Sequence, residues 1–203
     1  MIRNKNRANW LGGSDIRFVM SNWETKTFMQ FWLVKLGIAT NDFSTVYTMA
    51  GNAYERKIAQ SLGLKMKFDR CVKIPKLRLR VNLDAETKDC IYEIKTHKAT
   101  ENDWKLPTHY WQQCQVQMFA TGKHKCNLVA YPMEEENYEN FFLEVDKNKV
   151  EIFEIAYDEN WINTEYLPRL VYLAECLKKR KTPNKEEFER KNKNEKERIR
   201  RKN

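Results

Sequence analysis

Disulfide frameworks, zinc ribbons and iron–sulfur clusters find little support in this chain. Its five cysteines, Cys71, Cys90, Cys114, Cys126 and Cys176, are odd in number, widely spaced and include no CxxC pair. They read as core thiols of a protein from a reducing compartment. No stretch approaches the apolar length that spans a bilayer. The opening Met1-Ile2-Arg3-Asn4-Lys5-Asn6 lacks the apolar region of a secretory signal, and no internal repeat is visible. The expectation is a soluble, cytoplasmic protein, its 203 residues sufficient for one domain with a single substantial core.

Most of the chain also has little net charge. The formal +9 is unevenly placed: residues 178–203 contain 13 basic and 5 acidic residues and hold +8, whereas residues 1–177 contain 24 and 23 and hold +1. The sequence is therefore read as a nearly neutral domain over 1–177 followed by a basic, charged tail over 178–203. Such a run is a solvated helix or a disordered end, and it is also suited to a nucleic-acid contact.

What is present is an alternation of helical and strand patterns. Trp10-Leu11-Gly12-Gly13-Ser14-Asp15-Ile16 reads as a glycine turn with Ser14 as N-cap of a following helix. Phe28 to Leu36 is apolar and stops at Gly37. Residues 45–62 carry Tyr54, Ile58 and Leu62 at i, i+4 spacing and end at Gly63, the pattern of a helix with a glycine stop. Strands are expected at 70–75, 77–84 and 90–96, a helix at 103–121, further strands at 125–132, 140–146 and 149–156, and a last helix at 159–180. This order predicts an α/β fold, a central mixed β-sheet flanked by helices.

The chemistry concentrates in a predicted hairpin, Leu79-Arg80-Val81-Asn82-Leu83-Asp84 and Ile91-Tyr92-Glu93-Ile94-Lys95, joined by the polar turn Ala85-Glu86-Thr87-Lys88-Asp89. Glu93 and Lys95 share one face because strand side chains repeat every two residues, and Asp84 ends the partner strand within reach of that face. Charges on a hairpin are usually a solvated edge with cross-strand ion pairs. Ile91, Tyr92, Ile94 and Thr96 belong instead to a packed central strand, where charge is costly unless it is paired or binds metal. Two acids and a lysine so placed suit Mg²⁺, which prefers carboxylate oxygen, and phosphodiester hydrolysis.

Four segments occur in an order that resembles the YqaJ-type viral recombinase and lambda-exonuclease branch of the PD-(D/E)XK nuclease superfamily. They are Leu11-Gly12-Gly13-Ser14-Asp15-Ile16, Gly51-Asn52-Ala53-Tyr54-Glu55, Asp84 with Glu93-Ile94-Lys95, and Tyr110-Trp111-Gln112-Gln113-Cys114-Gln115 running to Ala120-Thr121-Gly122. The resemblance covers roughly residues 7–122. The first acid follows Asn82-Leu83 rather than a proline, and the loop between Asp84 and Glu93 is short.

The resemblance implies a restriction-endonuclease-like core and a Mg²⁺-dependent deoxyribonuclease, with Mn²⁺ as a substitute cofactor. Asp84, Glu93 and the backbone carbonyl of Ile94 would hold the metal. Glu55 would add an acid near a second metal or its water, and Lys95 would orient or activate the attacking water. Gln113 would face the site. Ser14 and Arg7 would form a pocket for a 5′-phosphate. Read alone, Glu55 is a surface helix residue and Gly12-Gly13-Ser14 only a turn. Trp10, Trp104, Tyr110 and Trp111 would suit base stacking but are more often core. The implied partner is double-stranded DNA, with a single-strand annealing protein and a homo-trimer as further implications.

The leading expectation is a 5′-to-3′ exonuclease of phage-type recombination. An endonuclease of the same superfamily, or a DNA-binding module with a vestigial site, are the alternatives. End dependence separates the first two, since a closed circular duplex resists an exonuclease.

Overall fold

The computed structural model describes residues 8–40, 45–99 and 104–200, which form two compact units. The first holds residues 45–72 and 81–157, the second residues 8–40, 73–80 and 158–200. Arg7 lies outside the described residues.

The first unit is built on a mixed five-stranded sheet in the order β1-β2-β3-β4-β5. The strands are β1 (Lys67–Ile74), β2 (Leu79–Glu86), β3 (Ile91–Lys98), β4 (Lys125–Met133) and β5 (Glu151–Ala156). β2 and β3 form the expected antiparallel hairpin, with Ala85 opposite Tyr92 and Glu86 opposite Ile91. β3 pairs in parallel with β4, and β4 antiparallel with β5. Parallel neighbours need a crossover, supplied by helix α4 (Thr108–Thr121), which starts after Pro107 and stops at Gly122 in the left-handed conformation. Helix α3 (Val46–Ser61) begins with the Thr45 hydroxyl accepting from the Thr48 N–H. Its buried Ala50, Tyr54 and Ile58 pack with Tyr92, Ile94, Val129 and Tyr131 of the sheet. β3 is thus a buried inner strand, as its apolar composition requires.

Several expected boundaries move. The hairpin turn is Thr87 to Cys90, closed by the Thr87 N–H donating to the Cys90 carbonyl (2.9 Å), so β2 runs past Asp84. This extension is possible because Arg70 and Lys123 each hold an oxygen of the buried Glu86 at 2.6 Å. No strand forms over 140–146. A short helix α5 (Glu135–Glu139) precedes that segment, whose carbonyls are taken by side chains of α3. Tyr54 donates to Asn140 (2.9 Å), and Lys57 donates to Phe141 and Leu143 (3.1 Å each). With its backbone bonds spent there, the segment has no reason to pair with a strand. Cys71 is exposed on β1, while Cys114, Cys126 and Cys176 are buried thiols as expected.

The second unit begins with a 3₁₀ turn, Gly13–Asp15, running into α1 (Ile16–Val19), followed by α2 (Lys26–Lys35). Leu11 bridges to Leu79 in a parallel ladder, burying both. Ser14 does not cap the turn: Gly12 is the cap, and the Asp15 carboxylate reaches back to accept from the Gly12 N–H (2.6 Å). The expected last helix is interrupted. α6 (Glu159–Trp161) and a π-helical turn (Ile162–Tyr166) lead into α7 (Leu167–Lys178), whose Pro168 cannot donate the N–H a continuous α-helix would need. The basic tail is then helix α8 (Lys185–Arg200). Its Phe188 packs edge-on to Trp23 (5.1 Å between ring centres) and beside Tyr172 (5.5 Å).

Candidate active site

The hairpin register and the crossover helix bring the predicted acids, lysine and glutamine together in the first unit. Asp84 Oδ2 accepts from the Ile94 N–H across the hairpin (2.9 Å). Alternation turns the Ile94 side chain into the core cluster, away from the acids. Glu93 is almost wholly buried, 1% exposed, and both its oxygens are occupied. Oε1 accepts from Lys95 Nζ and from Gln113 Nε2 (2.5 Å), and Oε2 accepts from Gln117 Nε2. Gln113 and Gln117 reach Glu93 because they lie one turn apart on the crossover helix. Gln115 faces elsewhere and donates to the Ala156 carbonyl (2.8 Å).

Glu55 comes from α3. A Cβ on Gly51, one turn earlier, would lie 3.1 Å from Thr96 Oγ1, tighter than an ordinary contact, so glycine eases the close approach of α3 to β3. Glu55 and Asp84 line a cavity of about 50 Å³ with Asn52, Arg56, Phe68 and Asp69. That volume admits a few waters.

Asp69 and Gln117 join the predicted residues at this site. Asp69 occupies a left-handed position within β1 (φ 57°), which aspartate tolerates better than most residues, and Arg56 stands 4.0 Å away. The signal was a lone acid just ahead of the expected strand start. Trp104 stacks on His97 (4.7 Å, 11° between planes) and meets Phe153 edge-on, so it is packed against its own unit.

The electrostatics are lopsided. Burial, then the Glu93 charge, push the Asp84 carboxyl well above the usual range, with Glu55 adding to the effect and Lys95 and the Ile94 N–H opposing it. Burial, then Glu93, also raise Glu55, and Asp69 adds to this. Burial works against a charged Lys95, but Glu93 and Asp84 outweigh it and hold the ammonium above its usual range. Two acids held up by burial and by neighbouring carboxylates around a small wet cavity fit a hard divalent cation, whose charge would remove the repulsion. Among the described residues no three His, Cys, Asp or Glu side chains form a ready-made metal cage. A cation here would take one or two carboxylates and draw its other ligands from water and substrate, which is the habit of Mg²⁺.

Ser14 lies exposed on the Gly13–Asp15 turn of the second unit. That turn is braced by Lys35, only 4% exposed, which donates to the same Asp15 carboxylate that holds Gly12.

Similar structures show the same fold. The alkaline exonuclease LHK-Exo from Laribacter hongkongensis superimposes with a TM-score of 0.61 at 18% identity, covering 86% of this chain and 94% of the other. A structure of LHK-Exo in complex with dAMP gives 0.66 at 16% identity, covering 94% and 95%. A phage-related exonuclease from Haemophilus somnus 129PT gives 0.59 at 14%, covering 83% and 92%. No curated protein matches the chain, and among the described residues no helix is long and apolar enough to cross a membrane. The model of the YqaJ-like viral recombinase domain matches residues 4–124, which include the glycine turn, the α3 acid, the acidic hairpin and the glutamine helix; the chain belongs to that family.

Proposed function

We propose that the protein is a Mg²⁺-dependent exonuclease that degrades one strand of duplex DNA from its 5′ end, with Mn²⁺ able to replace Mg²⁺. The observation that carries this reading is the set of buried Glu93 and Gln113 and half-buried Asp84 and Lys95 beside the cavity that Glu55 lines. Asp84, Glu93 and the Ile94 carbonyl would hold the cation, with Glu55 at its water side. When bound, the cation would supply charge to polarise the scissile phosphate.

The remaining roles belong to the protein. Lys95 is an ammonium with one proton directed to Glu93, and it serves as a donor to the attacking water and to the negative charge that develops on phosphate. Gln113 fixes the Glu93 carboxylate from the helix side. Asp84 is set by the Ile94 amide, so neither acid must reorganise during the reaction.

The 5′ preference rests on Ser14 and Arg7 as ligands of a terminal phosphate. Arginine suits this role because its fork donates bidentately to phosphate oxygens. A toroidal trimer and a single-strand annealing partner extend the same reading.

The test is digestion of linear and closed circular duplexes with Mg²⁺, the strands labelled separately at each end. Loss of label from 5′ ends of linear DNA, with circles intact and 5′-phosphate ends favoured over 5′-hydroxyl ends, is expected. Cleavage of circles would replace this reading with an endonuclease of the same superfamily.

A further inference from the structure

The Glu93 carboxylate has about four lone-pair positions, and three are filled by donors from the protein. Lys95 and Gln113 both donate to Oε1, leaving that oxygen no capacity for a cation. Oε2 receives a single donor, the Gln117 amide. Whatever Glu93 offers to a metal therefore comes from the one remaining position on Oε2, and Gln117 decides which position that is.

Gln117 is also unlike its neighbours in what it gives up. It is 1% exposed, and its Oε1 is buried without a hydrogen-bond partner. Turning the amide over would direct that oxygen at a carboxylate, so the N–H must face Glu93. A buried carbonyl left unsatisfied is unfavourable, and a methionine or leucine of similar size would avoid it. Gln115, equally buried on the same helix, donates instead to the Ala156 carbonyl and has no part in the acidic set.

We propose that Gln117 is a positioning residue for the metal-binding carboxylate: its amide immobilises Glu93 and selects the lone pair of Oε2 that is presented to the cation. This rests on the Mg²⁺-dependent reading above. Partners behind a metal ligand commonly change metal affinity 10- to 100-fold when removed, which sets the size of the expected effect.

The experiment is Mn²⁺ binding to the full chain without DNA, read by electron paramagnetic resonance of the free ion, together with melting in EDTA. Gln117→Met is expected to weaken Mn²⁺ binding about 10- to 100-fold while its melting temperature in EDTA is unchanged or higher. Gln115→Met is expected to do the opposite, lowering the melting temperature and leaving Mn²⁺ affinity within about twofold. If Gln117→Met does not yield folded protein, Gln117→Ala serves the same comparison. Wild-type protein that binds Mn²⁺ no more tightly than either Gln117 variant overturns the positioning role alone. Wild-type protein that binds no Mn²⁺ overturns the metal-dependent reading, and the positioning role with it.

Discussion

Charge is handled in opposite ways at the cavity of the first unit and in the second unit, although the first unit also holds a matched site where Arg70 and Lys123 meet Glu86. Around the cavity of the first unit, Glu55, Asp69, Asp84 and Glu93 face Lys95 and the largely exposed Arg56, and burial with the neighbouring carboxylates raises Asp84 and Glu55. In the second unit a buried pair and a partly exposed one are matched. Lys35 meets Asp15, and Lys181 meets Glu187 at 2.6 Å. A matched pair stabilises a turn or anchors a helix and asks for nothing from outside. A surplus of like charge in a confined space is relieved by protonation or by a cation from solution, so the lopsided cluster is where chemistry is to be sought and the matched pairs are where architecture is.

The largest effect should come from breaking the lopsided set. Asp84→Ala, Glu93→Ala and Lys95→Ala are each expected to slow cleavage by about 10²–10³, with circular dichroism that shows the fold retained at the assay temperature. Near-normal turnover by Glu93→Ala at low Mg²⁺ would show that the acids are only structural.

Breaking the matched pair should have the reverse signature. Lys35→Met leaves the Asp15 carboxylate, whose side chain is 15% exposed, without its cation. A loss of about 3 kcal/mol of stability in urea unfolding is expected, with Mn²⁺ affinity unchanged. If stability is unaffected, the pair is not architectural and the contrast between the units fails.

The tail sharpens the comparison on a smaller scale. Within α8 the charges nearly cancel, and Lys191 is already committed to Glu175 (3.1 Å) and Glu187 (3.3 Å). Exposed positive charge lies just before the helix, at Lys178, Lys179 and Arg180, the last of which donates to the Leu36 carbonyl (3.3 Å). Replacing Lys178 and Lys179 by glutamine is expected to lower the slope of log affinity for duplex against log salt by up to about 1.8, roughly 0.9 for each phosphate that is no longer neutralised. An unchanged slope would mark the tail as a structural element held by Phe188, with no part in DNA affinity.

The smallest effect concerns acid. The hydrogen bond from Lys181, then that from Tyr172, hold the Glu187 carboxyl down to about 2, from an ordinary 4.5. A depressed carboxyl contributes stability that is complete above its unfolded value and disappears as pH falls through its folded value. Between pH 4.5 and about 2 the melting temperature of Glu187→Gln should therefore fall less steeply than that of the unmodified chain. Parallel curves would remove Glu187 as an anchor of α8.

The sequence by itself determined the hairpin, the helix carrying Glu55, the glutamine helix and the family. Alternation in 79–84 and 91–96, i, i+4 spacing in 45–62 and glycine stops are local patterns, readable without knowing what packs against them. It wrongly predicts a strand at 140–146, because Tyr54 and Lys57, more than eighty residues away in sequence, take that segment's carbonyls. Nor could it give Gln117 a function or bring Asp69 to the cavity. Those follow from the crossover helix lying on β3 and from the left-handed residue in β1, which depend on distances between elements. The residue types were legible because chemistry restricts them; which oxygen of Glu93 each donor occupies was decided only by the tertiary structure, since a hydrogen bond is fixed by positions in space and not by spacing along the chain.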